Sequence, residues 1–131
     1  MAEDEILDVA EHTKTVALTT HRRNGTPVTT PVNVATEDGH AYFRTWETSG
    51  KAKRLRNNPE VEFAPTNFSG RNVTGPELHA RARLLDQKES ERARRALRRG
   101  FPFLHGVVVP LQHKLRRLKT VHYELEPSGG R

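Results

Sequence analysis

Runs of β-branched and apolar residues, alternating with polar ones, recur along this chain and predict strands. A few stretches instead repeat apolar residues at helical spacing. Ile6, Leu7 and Ala10 share one side of a short amphipathic helix over residues 4–11. Thr15-Val16-Ala17-Leu18-Thr19-Thr20 predicts a first strand. Arg23-Asn24-Gly25 turns the chain, because Asn-Gly favours the positive φ of tight hairpins. Thr26 to Thr36 follows as a second strand, with Val28, Thr30, Val32 and Val34 alternating against Thr29, Pro31, Asn33 and Ala35. Pro31 cannot donate to a ladder and so marks an edge, a bulge or a ligand-facing break.

After the turn Glu37-Asp38-Gly39, residues 40–45 predict a third strand that feeds a short basic helix. Residues 61–66 predict a fourth strand, 69–74 a loop and 76–85 a fifth strand. On that fifth strand Leu78, Ala80, Ala82 and Leu84 share one face, and His79, Arg81 and Arg83 the other. Asp86-Gln87-Lys88-Glu89 resembles a capping box, opening a helix that runs to about Arg99 and ends at Gly100. Its apolar side is thin: Ala93, Ala96 and Leu97. Helical spacing of apolar residues returns between Leu104 and Leu118, where Pro110 starts or kinks the segment. Residues 120–125 close the series as a strand, before a frayed tail at 127–131. About six strands in hairpin succession with three or four helices make a mainly β (α+β) fold, a small antiparallel barrel with peripheral helices. The chain, 131 residues long, suits a single domain whose residues 1–12 hold the N-terminal helix.

Composition narrows the function. The net charge of +6 points to an anionic partner: nucleic acid, a membrane surface or a phosphorylated small molecule. The absence of cysteine removes disulfides, thiolate metal sites and a thiol nucleophile, and fits a reducing, cytoplasmic setting. No apolar run approaches the roughly 18 residues that span a bilayer, and the acidic start at Glu3, Asp4 and Glu5 is unlike a signal peptide. Apolar residues make up only 34%, a shortage that a dimer sharing core or site surface would ease.

The charge concentrates at 51–56 and 88–119. In the first place, Thr45-Trp46-Glu47-Thr48-Ser49-Gly50 ends a strand and turns into a helix that Ser49 can cap and Asn57-Asn58-Pro59 stops. Lys51, Lys53 and Arg54 crowd the positive end of that helix dipole, where carboxylates are normally favoured. Either a bound anion accounts for them, in a phosphate site built with Gly50 and the free N–H groups, or they form a solvated basic face. The second basic region lacks aromatics for base stacking, so nucleic-acid binding is not expected. The seven histidines show no metal-ligand spacing, and no Ser/His/Asp set, paired carboxylates or phosphate-loop motif stands out. No metal and no catalytic side chain is assigned; Tyr42, His40 and His79 are proton-source candidates by side-chain type alone.

The run Thr45 to Pro59, the following Val61-Glu62-Phe63-Ala64-Pro65, the strand Gly25 to Val32 and the pair Gly75-Pro76 resemble the flavin and deazaflavin oxidoreductases of the pyridoxamine 5′-phosphate oxidase-like superfamily. Within it the sequence is most similar to the small F420-dependent enzymes. The resemblance covers nearly the whole chain, from about Thr15 to Pro127. It implies a six-stranded antiparallel split β-barrel (the FMN-binding split barrel) and a homodimer with the site at the subunit interface. It implies that Lys51 and Arg54 hold the coenzyme's phosphate or acidic tail, helped by Ser49 and Gly50. Arg44 and Thr45 would border the phospholactyl or ribityl part. Thr30, Pro31 and Val32 would line the deazaflavin ring, with Ala64, Pro65 and Thr66 across from it. Many close relatives carry a small or sulfur-bearing residue where Thr66 stands. The activity implied is hydride transfer from reduced F420 to a small unsaturated organic substrate. FMN in the same fold, and a non-catalytic F420 carrier, are the alternatives.

Overall fold

The computed structural model describes residues 2–67, 72–100 and 119–127. Helix α1 (Ala2–His12) leads into strand β1 (Thr15–His21), followed by β2 (Pro27–Asn33), β3 (Ala35–Glu37) and β4 (His40–Trp46). Then come α2 (Gly50–Asn57), β5 (Glu60–Pro65), β6 (Leu78–Leu84), α3 (Gln87–Gly100) and β7 (Thr120–Glu126). The seven strands form one sheet in the order β2-β1-β5-β6-β7-β4-β3, and every pairing is antiparallel.

The strand expected over 26–36 is two strands, which makes seven instead of six. β2 and β3 are the opposite edges of the sheet, yet only Val34 separates them in the chain. Two edges joined by one residue must lie side by side, so the sheet curls into a barrel wall. Val34 sits at that seam, 2% exposed, its N–H bonded to the Lys14 carbonyl at 3.0 Å. Pro31 lies on edge strand β2, where a missing ladder donor is tolerated.

The turns obey their residues. Gly25 takes φ +92°, and the Asn24 side chain accepts from the Thr26 N–H at 3.0 Å. Asp38 and Gly39 both take positive φ in the β3–β4 turn. At the start of α3 the capping box is reciprocal: Asp86 Oδ1 accepts from the Glu89 N–H at 2.8 Å, and Glu89 Oε1 from the Asp86 N–H at 3.1 Å.

The barrel interior takes the alternate residues of each strand. Val16 and Leu18 of β1, Phe43 of β4, Val61 and Phe63 of β5 and Ala80 of β6 are essentially solvent-free. The rings of Phe43 and Tyr123 stack at 5.1 Å, and Ile6 and Ala10 of α1 join this core. A second cluster lies on the outer side, where Ala93, Ala96 and Leu97 of α3 cover Tyr42, Ala35 and Leu85. Leu84 departs from expectation. It shares the parity of Ala80 and Ala82 but is 55% exposed at the end of β6, and Leu85 is buried in its place. Three helices occur among the described residues. The segment 104–118 and the tail beyond Pro127 lie outside them, as do residues 69–71 of the predicted 69–74 loop. No helix among the described residues is long and apolar enough to cross a membrane.

Candidate functional site

Helix α2 begins where β4 ends, and local hydrogen bonds fix the junction. Ser49 is the N-cap: its hydroxyl accepts from the Ala52 N–H at 3.0 Å and meets the Thr45 hydroxyl at 3.0 Å. Ala52 and Leu55 are the buried side of the helix. Gly50, Lys53, Arg54 and Asn57 recur at i, i+3, i+4 and i+7, so they form one exposed stripe on the opposite side.

That stripe is one wall of a cleft of about 600 Å³. The other wall is the β1–β2 hairpin, with Arg22 and Arg23. With Arg56, five cations line the cleft, and no carboxylate does. None of the five forms an ion pair among the described residues. Like charges held together without counter-charges repel one another, and a bound anion would offset that repulsion.

Arg54 is the pivot. Its Nε donates to the buried Thr20 hydroxyl at 2.6 Å, which anchors the side chain to β1. The guanidinium then lies over Gly50: a Cβ there would come within 2.9 Å of Nη1. Any larger residue would displace the group, so glycine is what permits the close approach. Lys51 adjoins Arg54 but lies off the cleft stripe, half-buried. Burial, and then the charge of Arg54, hold its pKa below the usual lysine value. A group so placed loses water that an anion's oxygens could replace.

The other expected site residues fall in two places. Across three strands, Pro31 of β2 pairs with Ala17 of β1, which pairs with Ala64 of β5. In the next row Val32, Val16 and Pro65 align. Thr30 stands opposite Leu18, two positions from Thr20, roughly 7 Å along the strand. Its Oγ1 is buried and has no hydrogen-bond partner. Thr66 follows at the strand end, donating to the Thr15 carbonyl at 2.9 Å.

Arg44 is brought to neither group. Neighbours on a strand face opposite ways, and it shares the Tyr42 side of β4, under α3, whereas Thr45 shares the Phe43 side. Arg44 Nη2 donates to the Thr120 hydroxyl at 3.1 Å, and burial, then the charge of Arg94, push its pKa down to about 10. Of the three proton-source candidates, Tyr42 is buried against α3, His40 bonds Glu124, and His79 faces Glu62; none lines the cleft. No cluster of three metal-ligating side chains occurs among the described residues.

Arg22 and Arg23 were not singled out from the sequence. Their only local signal was a basic pair ahead of Asn24-Gly25, which also suits an exposed turn.

Comparison with known proteins places this arrangement. The sequence profile described as pyridoxamine 5′-phosphate oxidase matches residues 2–105. No curated protein matches. Among solved structures, a protein of unknown function from Agrobacterium tumefaciens superposes with a TM-score of 0.71 at 22% identity over 96% of this chain. This chain spans about half of that one, 55% of its length. The heme storage protein from Vibrio cholerae gives 0.70 at 15% identity, covering 97% of this chain and 90% of its own. An FAD-binding protein from Mesorhizobium loti gives 0.62 at 14% identity, covering 98% and 89%. At these identities the structural likeness speaks for the fold alone: a split β-barrel of seven antiparallel strands with three described helices.

Proposed function

The chain belongs to the pyridoxamine 5′-phosphate oxidase family, and from that premise we propose that it is an F420-dependent oxidoreductase acting on a small unsaturated organic substrate. One observation carries the choice of coenzyme: a cleft lined by five cations, Arg54 among them, and no carboxylate, beside Lys51. A single phosphate, as in FMN, needs two or three such partners. A coenzyme with both a phosphate and an acidic tail uses them all.

The residues fit that group. Lys51 and Arg54 hold the phosphate, with Ser49 fixing the helix start and Gly50 leaving room for the Arg54 guanidinium. Arg22, Arg23, Lys53 and Arg56 receive the tail. The row Pro31–Ala17–Ala64 offers a flat bed of small side chains for a planar ring, while Thr30 and Val32 adjoin it through the backbone, their side chains on the barrel side with Leu18 and Val16. Thr45 supports the cap, and Pro65 and Thr66 end the bed. When bound in reduced form, F420 supplies a hydride from its C5 carbon. The protein's part is to hold ring and acceptor in register and to exclude water. A second copy of the chain closes the site in a homodimer, in the cytoplasm.

FMN in the same site is the second reading, favoured by the flavin-binding Mesorhizobium relative. Fluorescence titration of the purified protein with F420 and with FMN decides between them. Tight F420 binding with weak FMN binding is expected; micromolar FMN binding without F420 binding would overturn the assignment. Turnover of the reduced coenzyme with enones, quinones and bilins separates an enzyme from a carrier.

A further inference from the structure

Strand alternation sets Ala17, Thr19 and His21 of β1 on the face opposite Val16 and Leu18, outside the barrel. The Pro31–Ala17–Ala64 row lies on that outer face. The next row along it, roughly 7 Å away, is Thr29–Thr19–Glu62–His79, drawn from four strands. Small neutral side chains thus give way, one row from the bed, to titratable ones.

The two threonine hydroxyls satisfy each other at 2.7 Å. The Glu62 side chain is 19% exposed and stands between two imidazoles. One carboxylate oxygen lies 2.8 Å from His21 Nε2, the other 3.5 Å from His79 Nδ1. The nearest charges beyond them, Glu60 of β5 and Arg81 of β6, meet each other at 3.2 Å. The two imidazoles differ. His21 is hydrogen-bonded and 22% exposed, and it fixes Glu62. His79 is 72% exposed, and its Nε2 has no partner among the described residues. A purely structural trio would be closed at both ends. This one has an open end, on the face that carries the bed.

Imidazole is the side chain that exchanges a proton most readily near neutral pH. As the imidazolium, it donates through both nitrogens: Nδ1–H towards Glu62 and Nε2–H outward. A carboxylate behind the ring fixes its orientation and offsets its charge. A hydride added to one carbon of a conjugated double bond leaves an electron pair that needs a proton at the other.

We propose that His79 is the proton donor of the reduction, positioned by Glu62, which His21 holds in turn. The inference rests on reading the Pro31–Ala17–Ala64 row as the ring's bed, because that row sets a substrate stacked on the ring next to His79. The hydride forms a C–H bond at one carbon of the substrate's double bond. The displaced π electron pair takes the His79 Nε2 proton at the other carbon, and water returns a proton to the imidazole. Solvent takes up the coenzyme's second hydrogen as a proton.

Two measurements test the role. In NMR of the imidazoles of the whole protein, oxidised F420 should shift the His79 peaks saturably and leave those of His40, which bonds Glu124, in place. With reduced F420 and 2-cyclohexen-1-one, His79→Ala should lower kcat by about a hundredfold, with KM and F420 affinity within about twofold. Added free imidazole should restore much of the loss, because the site is exposed enough to admit it. Glu62→Gln keeps the shape without the charge, and should lower kcat severalfold with KM unmoved. Still His79 peaks, an unchanged kcat in His79→Ala, or a loss that imidazole does not rescue would overturn the inference. If the wild type takes FMN and not F420, the coenzyme assignment falls alone, and the same variants run with FMN decide His79. A wild type that reduces cyclohexenone with neither coenzyme overturns both.

Discussion

Two helices of this molecule are about equally basic and behave in opposite ways. On α3, two of the five arginines share one glutamate: Arg95 and Arg99 both grip Glu37 of β3. At the foot of the same helix, Arg83 of β6 joins Glu89, Glu124 and Glu126. These pairs fasten α3 to the sheet above a thin apolar stripe. On α2, Lys51, Lys53, Arg54 and Arg56 have no carboxylate partner among the described residues, and the hairpin arginines turn towards them. Charge density alone did not separate the two helices. The difference is that carboxylates tie α3 to the sheet through Arg95 and Arg99 while none meets α2, which marks α3 as scaffold and α2 as binding surface.

The sharpest way to break this comparison is to reverse charge on each helix. Lys51→Glu with Arg54→Glu should weaken F420 binding by about a hundredfold or more, because two charge-assisted bonds become repulsions. Circular dichroism should show the fold retained. Arg95→Glu on α3 should leave F420 affinity within about twofold, since its partner is structural and screened by solvent. Equal losses from both changes would mean that the cleft merely attracts anions by net charge.

Stability should reverse the ranking. Arg83→Ala strips Glu124, whose side chain is only 11% exposed, of its cation. Leaving a mostly buried carboxylate without that partner should cost about 1–2 kcal/mol, read as a fall of several degrees in Tm, with F420 affinity unchanged. A Tm that does not move would show the Arg83 cluster to be surface decoration.

How far the sequence carried this picture depended on whether a feature was local. The Asn24-Gly25 hairpin, the Ser49 cap and the Asp86–Glu89 capping box are each set by residues within a few positions, and each stands where the pattern put it. The break at Val34 left no local mark: alternation runs through it, and only closure of the barrel, which sets two edges side by side, forces the split. Leu84 kept the right parity but lies at the end of β6, a fact about strand length against barrel depth. Arg22 and Arg23 became site residues only because β1 carries their hairpin to α2, through Thr20 and Arg54. Arg44 and Thr45 were grouped by resemblance, although adjacent strand residues face opposite ways.

A smaller effect tests the scaffold side by pH. Glu37 is held below the usual carboxylate pKa, first by its hydrogen bond with Arg95 and then by the charges of Arg95 and Arg99. A carboxyl with a lower pKa folded than unfolded adds stability above the unfolded value, near 4.5, and loses it as pH falls through the folded value. Glu37→Gln should therefore lower Tm at pH 7, and the gap to wild type should close as the pH drops below about 4.5. A gap that persists into strong acid would mean that packing, not charge, holds Glu37.

The smallest expected effect tests the binding side in the same way. Lys51 loses part of its charge at a lower pH than an ordinary lysine, because burial and Arg54 both disfavour the ammonium. An anion beside it favours the charged form, so F420 affinity should hold through neutral pH and decline as the pH rises through the depressed Lys51 value. The decline is a matter of a few-fold, since Arg54 and the cleft arginines stay charged throughout. Lys51→Arg replaces the titrating group with one that does not titrate in this range, and should flatten the profile. Fluorescence titrations of both proteins from pH 7 to 10 read the difference directly. Parallel curves would place Lys51 outside the anion's reach and leave Arg54 as the anchor on that side of the helix.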